Sequence, residues 1–275
     1  MKPETVDSLA TRVRDGALLA LPPDYSYVPM ALILALIRRR VRNLHLLAVP
    51  IGGLAADILI GAGCVKTMEA AAVSLGEAGP APRFTEAAES GSIRVLDSTC
   101  PAIHAALQAT EKGVPFMPLG GLIGSDILKH RPEWKVVDDP LNEGHGPIVL
   151  LPAIRPDVAI IHVPKADRFG NAWIGRRREL MTMAHAARAT LVTAEEIVDE
   201  DLTADEATAA GTLPALYVTA VAAARMGCRP LALPGFYDAD ADAIRAYAVA
   251  ARTAEGFVDW LERAAPDAPS RRAAS

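Results

Sequence analysis

Aromatic residues are scarce in this chain. Five phenylalanines, five tyrosines and three tryptophans make up 5% of 275 residues, although 51% of the sequence is hydrophobic. Alanine and the aliphatic residues must therefore carry the packing, as they do where helices lie closely on a sheet, which favours an α/β protein over a β-sandwich. Cysteine is sparse too. Cys64, Cys100 and Cys228 are odd in number, far apart and outside any CxxC pattern, which argues against a disulfide framework or a structural metal site and fits a reducing cytoplasm. There is no long apolar run: VPMALILALI is far short of the ~20 residues that span a bilayer. The start, MKPETVDSLATRVRDG, lacks a signal-peptide core, so a soluble cytoplasmic protein with no membrane contact is expected. Basic charge is not in excess either. The formal net charge is -5, and nucleic acid is not expected as a partner. Two arginine runs, at 38 to 42 and 176 to 178, read as solvated ends of elements.

What the chain does have is alternation. Short aliphatic runs, ALLALP at 17 to 22 and NLHLLAV at 43 to 49, read as buried strands. Between them VPMALILALIRRR has a proline at its start and arginines at its end, as a helix would. The pattern repeats, with helices expected at GGLAADILIGAG, RFTEAAESG, AIHAALQATEKG and RELMTMAHAAR, and strands at EAAAVSL, SIRVLD, VAIIHV and ATLVTAEEI. Such a chain makes an open, mainly parallel sheet covered by helices on both faces, here over residues 1 to 264 as one domain. Its ligands gather at the carboxyl ends of the strands. Residues 130 to 147 read as a surface excursion or flap, 238 to 264 as a terminal helix with a break at Gly256, and 265 to 275 as a disordered tail.

Three loops following strands concentrate polar residues and glycine: LPPDYSYVP at 21 to 29, PIGGLAAD at 50 to 57 and PKADRFGNA at 164 to 172. Together they form a candidate site. In the first, Tyr25 and Ser26 are candidate contacts. In the second, Gly52 and Gly53 let backbone approach a ligand, and a helix starting at Leu54 would offer free amides to a carboxylate or phosphate, with a plain packing turn as the alternative. In the third, Asp167 can close the turn, Gly170 can take a positive φ, and Arg168 and Asn171 can hold a ligand or tie the loop down. No P-loop, GxSxG elbow or HExxH is present. The histidines, including His45, His130, His145, His162 and His185, show no metal spacing.

From about Asp15 to Trp260 the order of motifs, DGALLAL, VPMALILALIRR, GGLAADILIGAGCV, GVPFMPLGGLIGSDIL, PAIRPDVAIIHVPKADRFGNA and LPGFYDADADAIRAYAVAARTAEGF, resembles the α (A) subunit of class I CoA-transferases of the glutaconate type. The resemblance implies an open α/β fold and a partner β subunit of similar fold, with the active site at their interface. It also implies acyl-CoA and a small carboxylic acid as substrates, with coenzyme A itself a substrate and no cofactor or metal. In that family a glutamate attacks acyl-CoA and becomes a glutamyl-CoA thioester. In the glutaconate type this glutamate belongs to the β subunit. Glu77, in SLGEAGPAPRF, stands in a setting similar to that of the β-subunit nucleophile and is the one candidate nucleophile within this chain, with a solvated turn residue as the alternative.

Two stretches depart from the family pattern. LPPDYSYVP replaces a glycine-rich turn, and Leu119-Gly120 replaces a Thr-Arg pair, which removes a guanidinium able to bind a carboxylate. A side branch of ring-opening CoA-dependent hydrolases resembles the chain around SIRVLDSTCP, where Asp97 and Cys100 would be the alternative site residues, with His104 one turn beyond. Cys100 stands where that branch has a carboxylate, which argues against its mechanism here. A non-catalytic homologue is the remaining alternative.

Overall fold

The computed structural model describes residues 1–266 apart from 142, 143 and 145. His145 and all but the first two residues of the expected tail lie outside that range. The strands are β1 Leu18–Leu21, β2 Leu44–Ala48, β3 Ile51–Gly52, β4 Val65–Ala70, β5 Ala72–Val73, β6 Arg94–Asp97, β7 Phe116–Leu119, β8 Lys135–Asp138, β9 Pro147–Pro152, β10 Val158–Asp167, β11 Ala172–Trp173, β12 Ala189–Val198, β13 Thr212–Leu213 and β14 Ala220–Ala223. The helices are α1 Val6–Thr11, α2 Met30–Arg38, α3 Leu54–Gly61, α4 Pro82–Glu89, α5 Cys100–Glu111, α6 Ile127–His130, α7 Arg178–Ala186, α8 Glu206–Ala209, α9 Ala241–Ala250 and α10 Ala254–Ala264.

Seven strands run parallel in the order β6-β4-β2-β1-β10-β12-β14, and the short antiparallel pair β11 and β13 extends the far end of β10. The strand order reverses at β1, since β2, β4 and β6 step away on one side and β10, β12 and β14 on the other. Crevices in open parallel sheets form outside the carboxyl ends of strands at such a reversal. The loop after β1, residues 22–29, is therefore placed by topology at the most favourable position for a site. The core beneath it is aliphatic, with Leu19, Leu46, Leu47, Ile160, Ile161 and Leu191 all fully buried.

The expected α/β architecture is what the chain adopts, with differences in several elements. The run VAIIHV does not end at its proline: β10 continues through Pro164 to Asp167. β1 pairs with β10 only at Val158 and Ala159. The His162 N–H points to that side, donating to the Tyr27 carbonyl. Pro164, two residues on, faces the same open side, so its missing N–H breaks no ladder bond. The run EAAAVSL is not a strand of the main sheet beyond Ala70: β4 begins earlier, at Val65, and Ala72–Val73 pair instead with Ile51–Gly52.

Residues 130–147 are no simple flap. β7, β9 and β8 form an antiparallel sheet around a satellite core of Trp134, Val149 and Leu151 against Ala102 and Ala105. The terminal segment is two helices, and the break falls at Arg252–Thr253, where the Thr253 hydroxyl accepts from the Gly256 N–H at 3.0 Å. Gly256 lies inside the first turn of α10, where a Cβ would sit 2.4 Å from the Ala250 carbonyl oxygen. No described helix is long and apolar enough to cross a membrane.

Candidate active site

The loop that leaves β1 is stiffened by Pro22 and Pro23 and closed by a bond from the Ser26 N–H to the Pro23 carbonyl at 2.8 Å. This turn carries Asp24 and Tyr25 out over the sheet edge. The loop after β2 brings Gly52 and Gly53 to the same place. β3 and β5 fasten it, and a Cβ on Gly52 would meet the Met68 side chain at 2.9 Å. The two loops touch through Asp24. Its Oδ2 accepts from the Leu54 N–H at 2.8 Å, and a Cβ on Gly53 would lie 2.2 Å from the Asp24 carboxyl carbon. Gly53 is therefore glycine because the aspartate fills the space a side chain would take.

Around this contact lies a cavity of about 630 Å³. Asp24, Tyr25, Ser74, Gly52, Gly53 and Glu77 form its polar side, and Leu231, Ala232 and Ile244 its apolar wall. Arg245 is at the rim, exposed and paired with Asp242 at 2.5 Å. Burial raises the Asp24 carboxyl to about 6, against the smaller lowering effect of the Leu54 N–H. Its Oδ1 is shielded from solvent and has no hydrogen-bond partner. Tyr25 is 59% exposed. Its phenol is pushed up by burial first and then by the charges of Glu179 and Cys100.

Gly52, Gly53, Tyr25 and Glu77 thus come together, as expected of the first two loops. Glu77 is exposed on a single 3₁₀ turn, Gly76–Ala78, which Ser74 holds through the Gly76 N–H at 3.1 Å and the Gly79 carbonyl at 3.3 Å. The third loop is not in the cavity. Asn171 is buried in its own hairpin: its amide donates to Asp167 Oδ2 at 2.8 Å and its carbonyl accepts from the Ala215 N–H at 2.8 Å. Asp167 also accepts from the N–H groups of Phe169, Asn171 and Leu202, and Gly170 takes φ 99°. Arg168 lies over the Phe169 ring, 4.8 Å from its centroid. Ser26 is fully buried and donates to Glu179, away from the cavity. Nor is Arg177 a solvated end, because its guanidinium packs 4.9 Å from the Tyr27 ring centroid.

Asp97 ends β6 in solvent, and its carbonyl accepts from Arg131. Cys100 opens α5 behind the Thr99 cap and is partly exposed. His104 follows one turn later, and burial lowers its pKa, so its imidazole is neutral near pH 7. Asp24 is the site residue that local pattern does not single out. Its one signal is an acidic side chain just after two prolines at a strand end, and the buried environment that makes it unusual is supplied by Gly53 from another loop.

The coenzyme A transferase family model matches residues 4–224, most of the sheet and both site loops. The chain belongs to that family. Among coenzyme A transferase relatives, it is 32% identical to the α (A) subunit of the 3-oxoadipate CoA-transferase of Pseudomonas knackmussii, over 91% of this chain and 88% of that protein. An uncharacterized protein of Archaeoglobus fulgidus is 33% identical over 94% of this chain, which spans only 57% of that longer protein. The crystal structure of glutaconate coenzyme A-transferase from Acidaminococcus fermentans superposes with a TM-score of 0.87 at 26% identity, over 96% of this chain and 88% of that one. The glutaconate-type resemblance read from the motif order thus agrees with both the sequence relatives and the fold.

Proposed function

We propose that this chain is the α subunit of a heteromeric CoA-transferase that moves CoA from an acyl-CoA to a carboxylic acid, with the nucleophilic glutamate on a partner β subunit. The observation that carries this reading is a cavity at the strand-order reversal that contains no positioned nucleophile. Glu77 is exposed and, among the described residues, makes no hydrogen bond or ion pair that would aim it. An activated nucleophile needs such a neighbour. The rim is open and partly apolar, with Tyr25 59% and Phe236 39% exposed, which suits cover by a second subunit.

In this reading the partner's glutamate attacks the thioester carbonyl, expelling CoA thiolate and leaving an acyl-glutamyl anhydride. The thiolate then attacks the glutamyl carbonyl and releases the first acid. The acceptor carboxylate reverses both steps, so atoms and charge balance without a cofactor. This chain contributes the backbone at Gly52 and Gly53, which lets a bulky thioester approach closely, and an apolar wall for the acyl or pantetheine chain. The first amide of α3 is taken by Asp24, so the free-amide anion site expected there is already filled by the chain's own carboxyl.

The test is co-expression with the reading frame adjacent to this one, followed by a CoA-transfer assay. Transfer by the complex but not by the chain alone, lost on changing a partner glutamate and retained in Glu77→Ala, is expected. Transfer by the chain alone, lost in Glu77→Ala, would move the nucleophile into this sequence and overturn the reading.

A further inference from the structure

We infer that Asp24 is a ligand-binding residue that works as a carboxylic acid, donating a hydrogen bond from Oδ1 to an oxygen of the carboxylate or thioester held over Gly52–Gly53. The inference rests on the transferase reading for its choice of ligand, and on geometry for the rest. The two oxygens of Asp24 have different environments. Oδ2 accepts from the Leu54 N–H at 2.8 Å, while Oδ1 is shielded from solvent and has no partner. A buried polar atom left unpaired costs about 1–3 kcal/mol, so native structures rarely keep one without a use. Here the group borders the cavity and is pressed against Gly53, the residue over which a ligand must pass.

An ionised Asp24 could only accept at Oδ1 and would repel an incoming carboxylate. As a neutral acid it offers one donor at the unpartnered position while keeping the Leu54 bond through its carbonyl oxygen. The balance between the two forms is accessible near neutrality, because burial has already raised the carboxyl to about 6. A bound anion raises it further. Binding a carboxylate at pH 7 or above therefore draws a proton from solvent onto Asp24. The other titratable groups facing the cavity are Tyr25 on the same loop, Glu77 on the 3₁₀ turn and Arg245 on α9. Glu77 is solvated and Arg245 is already paired with Asp242, so Asp24 is the group whose charge a buried ligand would sense most.

The experiment takes the complete α–β complex and titrates acetate, butyrate and glutarate by calorimetry in two buffers of different ionisation enthalpy, in wild type, Asp24→Asn and Asp24→Ala. The wild type should take up close to one proton per carboxylate at pH 8, and its affinity should fall about tenfold per pH unit above pH 6. Asp24→Asn, whose amide is a fixed donor and whose carbonyl keeps the Leu54 bond, should bind with no proton uptake and no such fall. Asp24→Ala should bind at least tenfold more weakly at pH 6.

Equal proton uptake in wild type and Asp24→Asn, or no binding of any of the three acids, overturns the inference. An infrared titration of the chain gives a check independent of the ligand. A protonated-carboxyl band should disappear as pH rises through about 6 in wild type and be absent in Asp24→Asn, and its absence from wild type overturns the inference as well. The two readings fail separately. Proton-coupled carboxylate binding without CoA transfer would sink the transferase reading and leave Asp24 standing, whereas CoA transfer with proton-independent binding would sink Asp24 alone.

Discussion

At the residue scale, the site depends on single atoms that must be missing. Gly53 is the clearest case: the Asp24 carboxyl occupies the position of its absent Cβ. In Gly53→Ala the aspartate must leave and break its bond to the Leu54 N–H, so a loss of about 1–3 kcal/mol is expected in denaturant unfolding, together with loss of CoA transfer by the complex. Tyr247 shows the same sensitivity beneath the site. Fully buried, it donates to Asp57 Oδ2 at 2.6 Å, and Asp57 in turn accepts from the Phe84 N–H at 2.7 Å, tying α9 to α3 and α4. Burial raises the Asp57 carboxyl even with these bonds in place. Tyr247→Phe leaves that oxygen with one donor fewer, and a loss of about 1–3 kcal/mol is expected by the same measurement.

At the scale of elements, two connections decide how the molecule holds together. The satellite sheet of β7, β9 and β8 is linked to the main sheet by Arg131, which donates to Glu69 at 2.6 Å with both side chains 4% exposed, and to Glu133 and the Asp97 carbonyl. Burial pulls Glu69 upward, but His45 and Arg131 outweigh it and hold the carboxyl below its ordinary value. A lowered carboxylate contributes stability above its unfolded pKa, and that contribution is lost as pH falls through the folded value. Arg131→Ala should therefore cost about 3 kcal/mol at pH 7, and the difference from wild type should shrink as the pH is taken below about 4. Urea midpoints across pH would show it, and a pH-independent difference would contradict it.

The other connection is the β10–β11 hairpin. Asn171 bonds three segments there, through Asp167, Asp201 and Ala215, and lies outside the cavity. Asn171→Ala should lower stability by about 1–3 kcal/mol while leaving kcat/KM of the complex within about twofold. A large rise in KM without loss of stability would restore Asn171 as a ligand contact.

At the scale of the whole molecule, much was legible in the sequence because strand and helix patterns are local. A run such as NLHLLAV is buried on both faces wherever it is placed, and VPMALILALIRRR has a helix's start and end written in it. The family, too, was legible in the order of motifs. What local pattern could not supply was a partner distant in the chain. Pro164 reads as a strand end, and only the short pairing between β1 and β10 explains why the strand passes through it. Glu69 lies in an alanine-rich run with nothing nearby to mark it, and its meaning comes from Arg131, 62 residues away.

The candidate site divides in the same way. By itself the sequence determined the parallel α/β sheet, the CoA-transferase family and the two glycine and proline loops at strand ends, because each depends on residues close together in the chain. Only the tertiary structure decided that Asp24 lies against Gly53 with one oxygen unpaired, that Glu77 shares its cavity, and that Arg168 and Asn171 do not. The physical reason is that a carboxyl's charge state and a glycine's necessity are set by what is packed against them. In this fold those neighbours come from separate crossovers that meet only where the strand order reverses.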